Sequence, residues 1–443
     1  MIAAMSWRRA ASLAALLLGG IWQAAPAGAL TVGRSPFGLS MEYPLIERAL
    51  GAGPCPSPAL VATWRELGSP SLRIGGDSQD LAGLTPAYHY DVPPTLWPAL
   101  GCMARETGAQ ITVGLNLATA SPAEELAMAA DAEQAVPAAQ LSFSLGNEPD
   151  LYGISHILPY EPGFKVPVLR RPPWTPRLYV REWDARRALL GPVRIEGPDF
   201  AGWQWGKRLA RQLAADPPDT FDVHLYPTSA CGSGGARTTL ARILSRRASV
   251  GLLARYGWLV RIARATHHPA IVSESNSASC GGRPGVSNAP AAGVWAARFV
   301  VSALLEGFAQ VRLHSAGTSY DPLVFNANGT VTMRPLGDAL LFLHRWIPVG
   351  SRIATDAGTT GGPRNPPVLA VTVSDGAHTS VIVSSFAGKP LPFSVAVHSP
   401  ADAVTSETLS ATSAGEARGR VAVREHIARL TLGPNTVVAL ETS

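Results

Sequence analysis

The stretch Leu141-Ser142-Phe143-Ser144-Leu145-Gly146-Asn147-Glu148-Pro149-Asp150 decides how this chain is read. A short apolar run ends in a carboxylate and polar residues. The pattern repeats in Pro269-Ala270-Ile271-Val272-Ser273-Glu274-Ser275-Asn276, the two glutamates standing 126 residues apart (274 − 148). Each run reads as a buried parallel strand. A glutamate at the C-terminal end of a barrel strand lies on the face where (β/α)8 enzymes carry their chemistry. Two such glutamates on different strands can face each other across a sugar, the arrangement glycoside cleavage requires.

Outward from these stretches, strands alternate with helices. The pattern predicts strands at 37–41, 71–74, 111–115, 141–145, 193–196, 221–225, 270–273 and 311–313. Apolar spacing of three to four residues predicts helices at 60–67, 122–133, 178–190, 203–214, 240–265, 291–306 and 335–346. Eight strands with crossover helices suit a closed parallel barrel. A doubly wound open sheet is the alternative, but it normally carries a glycine-rich phosphate loop after an early strand, and this sequence has none. Beyond residue 350 come short β-branched runs at 368–373, 379–384, 393–397, 420–423 and 436–440, the signature of an antiparallel β-sandwich. The expected fold is therefore α/β: a (β/α)8 TIM barrel over 30–348 and a C-terminal β-sandwich over 349–443. Residues 30–35 are placed to add a strand to the sandwich. The proline-rich stretch 159–176 reads as an insertion on the active face or a mobile rim.

Among the 443 residues, hydrophobic ones make up 46% and charged ones 16%, enough for a sizeable core and against global disorder. The formal net charge of +5 permits an acidic substrate. No basic stripe with interleaved aromatics is present, so nucleic acid is not an expected partner. Residues 1–29 read as an export signal: Arg8 and Arg9, an apolar stretch from Ala10 to Ala25, then Ala27-Gly28-Ala29 as a small-x-small cleavage site. Export to the periplasm or the extracellular space follows, with no stable membrane insertion after cleavage. Four cysteines, an even count in an exported chain, favour disulfides. Three pairings are open; Cys55–Cys102 and Cys231–Cys280 are the expected ones, the second joining loops after neighbouring strands. No CxxC pair occurs. His267-His268 lies before the seventh strand, away from the barrel mouth, so neither a metal nor another cofactor is expected.

Glu148 is the candidate general acid/base. A general acid must stay protonated at working pH, which requires desolvation or a neighbouring like charge. Asn147 beside it can hydrogen-bond a sugar hydroxyl. Pro149 is expected to hold Glu148 in an extended conformation. Glu274 is the candidate nucleophile, with Tyr226 of Phe221-Asp222-Val223-His224-Leu225-Tyr226-Pro227 as the phenol that keeps it ionised and aimed. His224 reads either as packing at the mouth or as a strand-end hydrogen-bonder. A carboxyl separation near 5 Å would imply retention of anomeric configuration; roughly 7–9 Å would imply inversion.

The paired glutamates resemble those of clan A glycoside hydrolases, whose acid/base lies in an Asn-Glu pair after the fourth strand and whose nucleophile follows the seventh. Leu72-Arg73-Ile74-Gly75-Gly76-Asp77-Ser78 is similar to the Arg-Ile-Gly-Gly-Asn-Ser segment of glycoside hydrolase family 79, the β-glucuronidase and heparanase group. Phe37-Gly38-Leu39-Ser40-Met41-Glu42 is similar to that family's first strand, and Gly317-Thr318-Ser319-Tyr320-Asp321-Pro322-Leu323 to its segment after the eighth. The resemblance implies a secreted retaining hydrolase of β-linked glucuronic acid, in a glucuronide or in an oligo- or polysaccharide. It implies sugar contacts from Glu42 and Asp77, and uronate carboxylate contacts from the amides of Gly281 and Gly282 and the phenol of Tyr320. Asp77 replaces the family's Asn, and Ser279 stands where some relatives carry Tyr. Arg73 reads equally as an ion-pair residue under the mouth. The alternatives are a clan A enzyme acting on neutral β-glycosides and a non-catalytic carbohydrate-binding protein.

Overall fold

The computed structural model describes residues 30–33, 36–158, 161, 163–355, 367–397 and 401–442. The expected export signal, 1–29, lies outside them. Eight parallel strands form the barrel: β1 (Phe37–Met41), β2 (Ser71–Ile74), β3 (Ile111–Leu115), β4 (Leu141–Leu145), β5 (Ile195–Gly197), β6 in two pieces (Thr220–Phe221 and His224–Leu225), β7 (Ile271–Ser275) and β8 (Gln310–Ser315). β1 pairs with both β2 and β8. The first piece of β6 pairs with β5 and the second with β7, so the ring closes through 220–225. β1, β2, β3 and β7 are buried along their whole length, as strands covered on both faces must be.

Where the strands differ from expectation, local chemistry explains it. β6 is split at 222–223: the Asp222 amide still follows β5, donating to the Gly197 carbonyl, whereas the His224 amide donates to the Phe200 carbonyl in the loop after β5. The single helix expected over 240–265 is three: α1 (Leu240–Ile243), α2 (Val250–Leu253) and α3 (Gly257–Thr266). The Ser245 hydroxyl donates to the Arg242 carbonyl at 2.7 Å and ends α1, a side-chain competition typical of serine. Two helices escaped the periodicity reading, Tyr43–Leu50 and Leu96–Thr107. Pro98 and Gly101 blur the pattern of the second.

A second sheet, of nine antiparallel strands, holds the C-terminal part. In chain order it contains β9 (Arg352–Thr355), β10 (Val368–Ser374), β11 (Thr379–Ser385), β12 (Leu391–Ala396), β13 (Ala403–Ser410), β14 (Ser413–Arg424), β15 (Ile427–Leu432) and β16 (Thr436–Glu441). The spatial order is Leu30–Thr31, β9, β10, β11, β16, β13, β14, β15, β12. Leu30 pairs with Ile353 and Thr31 with Arg352, so the first described residues belong to this sheet. β13 shows no clear alternation in sequence, whereas β15 alternates over Ala428-Arg429-Leu430-Thr431-Leu432 but lies outside the runs read above. The sheet encloses Val381, Val383, Val395, Val404, Leu432 and Leu440.

Disulfides join Cys55 to Cys102 and Cys231 to Cys280. The second ties the loop after β6 to the loop after β7, at the barrel mouth. Between β4 and the helix Pro176–Leu190, the chain makes a short hairpin, His156–Ile157 against Lys165–Val166. No helix among the described residues is long and apolar enough to cross a membrane.

Candidate active site

The β4 strand ends in a sharp turn. Gly146 takes φ 79°, which a glycine adopts freely. Glu148 itself sits in the left-handed region, at φ 47° and ψ 51°, and a one-turn helix follows over Pro149–Leu151. The extended backbone expected from Pro149 is thus corrected. Proline disfavours the right-handed helical region for the residue before it. A tertiary bond then selects among what remains: the Glu148 amide donates to the Asp199 carbonyl at 3.0 Å. Strain of this kind, held by the surrounding fold, clusters at functional sites.

Glu274 lies inside β7, where the pairing with β8 shifts register between Val272 and Ser275. Such irregularities re-aim side chains at barrel mouths. The two glutamates meet on His224. Its Nδ1 is 3.0 Å from Glu148 Oε1 and 3.9 Å from Glu274 Oε1. One ligand-type atom from each of Glu148, His224 and Glu274 lies within 4.8 Å of the others. That trio could geometrically surround a cation. However, His224 also sets Nε2 3.0 Å from Asp199 Oδ1. Both ring nitrogens face carboxylates. Burial opposes the charged imidazole, but Glu274, Asp199 and Glu148 outweigh it and raise its pKa well above the usual value. The ring therefore has no nitrogen free of a carboxylate partner to offer a cation.

The two glutamates are tuned in opposite directions. Burial pushes the Glu148 carboxyl up, His224 opposes this, and the Glu274 charge adds to it; the net shift is upward. Burial would push Glu274 up as well. Positive charge on His314, His224 and Arg73, with the Tyr226 hydroxyl donating to Oε1 at 2.7 Å, instead brings it down to about 2. Pairs of carboxyls whose surroundings drive their pKa values apart mark acid and base assignments.

Arg73 on β2 is the hub beneath them and is fully buried. Its Nη1 bonds Glu274 Oε2 at 3.0 Å and Ser40 Oγ at 3.1 Å. Its Nη2 bonds Asn147 Oδ1 at 3.1 Å and Gln79 Oε1 at 3.2 Å, and lies 3.3 Å from Asp199 Oδ1. Asn147 is thereby held next to Glu148, its amide donating to Asp80 Oδ2 at 2.9 Å. A planar fork with five donors suits such a cluster; lysine could not span it.

The remaining candidates divide. Glu42, Asp77 and Tyr320 line the same cavity, of about 1270 Å³, as Glu148 and Glu274. Glu42 already accepts from the Asp77 amide at 3.1 Å and the Ser78 amide at 2.8 Å, and lies 3.4 Å from His314 Nε2. Asp77 Oδ1 lies 3.1 Å from His156 Nε2. The structure does not bring Gly281 and Gly282 to the cavity wall. The Gly282 amide points back to the Ser279 carbonyl at 3.4 Å, and the Gly281 carbonyl accepts from Ser319. Sequence reading missed His314, Asp199 and Gln79. His314 ends the apolar run of β8 and was legible as a polar residue closing a buried strand. Asp199 lies in the loop after β5 and Gln79 in a short 3-10 helix, Asp77–Leu81, neither with a local signal of its role.

No family model matches the chain. A stretch is 29% identical over 203 residues to a β-glucuronidase of Neurospora crassa, covering 40% of this chain and 34% of that protein. The match thus spans about a third of the curated relative's length. In fold, the chain is similar to a 4-O-α-L-rhamnosyl-β-D-glucuronidase from Fusarium oxysporum, solved with Rha-GlcA: TM-score 0.71, 19% identity, 94% of this chain and 97% of that one. It is also similar to a GH51 arabinofuranosidase from Xanthomonas axonopodis pv. citri (TM-score 0.67, 15% identity, 94% and 98%). A GH30 endoxylanase from Clostridium papyrosolvens follows at TM-score 0.58, 13% identity, 94% and 98%. These neighbours are clan A glycoside hydrolases. At such identities the likeness defines the architecture, a TIM barrel with a sheet-rich second domain.

Proposed function

We propose that this protein is a retaining glycoside hydrolase acting on β-linked glucuronic acid. The observation that carries the reading is the convergence of Glu148 and Glu274 on His224, within 4.8 Å, with one carboxyl tuned up and the other down. Carboxyl groups about 5–5.5 Å apart suit double displacement and leave no room for a water between carboxylate and sugar.

In the first step the ionised Glu274 forms a bond to the anomeric carbon. The bond to the leaving oxygen breaks, and that oxygen takes the proton from Glu148. In the second, Glu148 as carboxylate removes a proton from water, the water oxygen bonds to the anomeric carbon, and Glu274 departs as carboxylate. Tyr226 and Arg73 hold Glu274 ionised and aimed, and His224 steadies Glu148. Glu42, Asp77 and Tyr320 contact the sugar. Residues 30–348 supply this site, 349–443 form the accessory sheet domain, and residues 1–29 direct export.

The glucuronide assignment draws on the named likenesses to a β-glucuronidase and a rhamnosyl-glucuronidase. A second reading, a neutral glycoside or an arabinofuranoside, is favoured by the position of Gly281 and Gly282 off the cavity wall, which removes two expected carboxylate contacts. A panel of 4-nitrophenyl glycosides separates the two. The proposal expects release from the β-glucuronide, lost in Glu148→Gln and Glu274→Gln on natural-type leaving groups. Turnover of only neutral glycosides moves the assignment to the second reading. No turnover with retained sugar binding would overturn both.

A further inference from the structure

The cavity is built in two chemistries, and the division names what lies beyond the scissile bond. At its base stand the glutamates, His224 and His314. The segment after β4 lends the lining Ile154, Ile157, Val166 and Leu169 between the polar Ser155, His156 and Lys165, and Leu252 and Tyr256 add further apolar surface. Ile154 is 55% exposed and Ile157 61%. Among the described residues, eight large apolar side chains stand exposed, and three of them, Ile154, Ile157 and Val168, fall within this one short segment. Clustering of that kind beside a polar cleft marks a ligand surface rather than scattered exposure.

The segment is pinned in place. His156 pairs with Asp77 at 3.1 Å, and Phe164 stacks on His89 with ring centroids 3.7 Å apart. Leu158 and Val166 pack on Leu81. Strand alternation then turns Ile157 away from the packed side. The hydroxyls that line the cavity after β6 and β7 spend their protons within the protein. Thr228 Oγ1 donates to the Ser277 carbonyl at 2.8 Å, and Ser279 Oγ donates to Ser229 Oγ at 2.9 Å. Tyr152 donates its hydroxyl to Asp80 at 2.7 Å. Among the described residues no tryptophan, the broadest platform for stacking a sugar, lines the cavity. At about 1270 Å³, it exceeds the roughly 300–1,000 Å³ of sites for drug-sized ligands, so one sugar leaves space for the group attached to it.

We infer that the leaving-group subsite takes an apolar aglycone: the substrate is a glycoside of an alkyl or aryl alcohol, not an internal bond of a polysaccharide. This rests on the glycosidase reading of the same site. The test compares methyl and hexyl β-D-glucuronides, with the matching glucosides in parallel. Their leaving alcohols are chemically alike, so a rate difference reports contact with the chain. Five added methylenes, partly buried, predict a kcat/KM roughly tenfold or more higher for the hexyl glycoside. The double variant Ile154→Ser/Ile157→Ser, at exposed positions, should collapse that ratio towards one. Turnover with equal rates for both chain lengths, or a glucuronide oligosaccharide cleaved faster than the hexyl glycoside, overturns the inference and leaves the glycosidase reading standing. If neither glycoside turns over, that reading fails, and calorimetric binding to Glu148→Gln judges the aglycone claim alone: equal affinities overturn it. Concentration-dependent dimerisation that the double variant abolishes, with a flat chain-length series, would assign the apolar rim to a second copy instead.

Discussion

Tyr226→Phe removes one donor from the candidate nucleophile and leaves the ring in place. The phenol donates to Glu274 Oε1 at 2.7 Å. A hydrogen bond to a charged group contributes about 1.5–3 kcal/mol. It is strongest when Glu274 carries full charge and weakest in the covalent ester. Formation of the glycosyl-enzyme therefore loses little when the donor is gone, because the charge it stabilised is being spent. Breakdown of that intermediate returns charge to the carboxylate, and the missing donor slows it. If roughly half the charge is restored at the transition state, the loss is about 0.8–1.5 kcal/mol, or about a 4- to 13-fold fall in the deglycosylation rate. A substrate with a good leaving group makes that step limiting. Stopped-flow release of 4-nitrophenol should then show a larger burst and a lower steady-state rate in the variant. The acid limb of kcat/KM should also move upward. Glu274 must be ionised to attack, its pKa is lowered to about 2, and the Tyr226 bond is one of the groups lowering it. An unchanged kcat, burst and acid limb would refute the idea that Tyr226 holds the nucleophile.

Glu148 carries a raised pKa, so the folded state holds its proton to higher pH than the unfolded chain, and its stabilising contribution is lost as pH rises through the folded value. Glu148→Gln should therefore gain Tm relative to the parent more at pH 7 than at pH 4, read by calorimetry; an equal difference at both would contradict the shift. Arg73→Met strands the buried carboxylates of Glu274 and Asp199 without their shared cation. A loss of about 3–5 kcal/mol in denaturant unfolding is expected, and a loss under 1 kcal/mol would show the cluster is not held that way. Cys55→Ala/Cys102→Ala opens a 47-residue separation, and the chain-entropy relation predicts about 4 kcal/mol of destabilisation. Equal unfolding midpoints under oxidising and reducing conditions would remove this disulfide from the stability account.

How much of this was legible beforehand depended on how local the signal was. Glu148 and Glu274 each end an apolar run, and burial of such a strand leaves its terminal carboxylate one place to go, the mouth. Tyr226 follows a run of the same type. Glu42 and Tyr320 were legible only through resemblance, because their loops carry no periodicity. The left-handed backbone of Glu148 was hidden because it is selected by a bond to Asp199, 51 residues on (199 − 148). The Arg73 hub was visible as a residue but not as a function, since its partners come from β1, β7 and the segments after β2, β4 and β5. His314 is visible as a polar residue near the end of a buried strand, but its role shows only once β8 closes beside β1. For the loop glycines the sequence offers an anion-facing reading, and the structure adds a turn of positive φ in which the Gly282 amide donates to the Ser279 carbonyl and the Gly281 carbonyl accepts from Ser319.

Everything mechanistic above requires that one of two converging acids becomes covalently bound to the sugar. Incubation with 2-deoxy-2-fluoro-β-D-glucuronosyl fluoride, followed by peptide mass mapping, tests that step. The account predicts one equivalent of fluoroglycosyl label, carried as an ester on Glu274, with activity lost in parallel. Label on Glu148 or any other residue, or full hydrolysis of the β-glucuronide with an α-configured first product by NMR and no label, would contradict it.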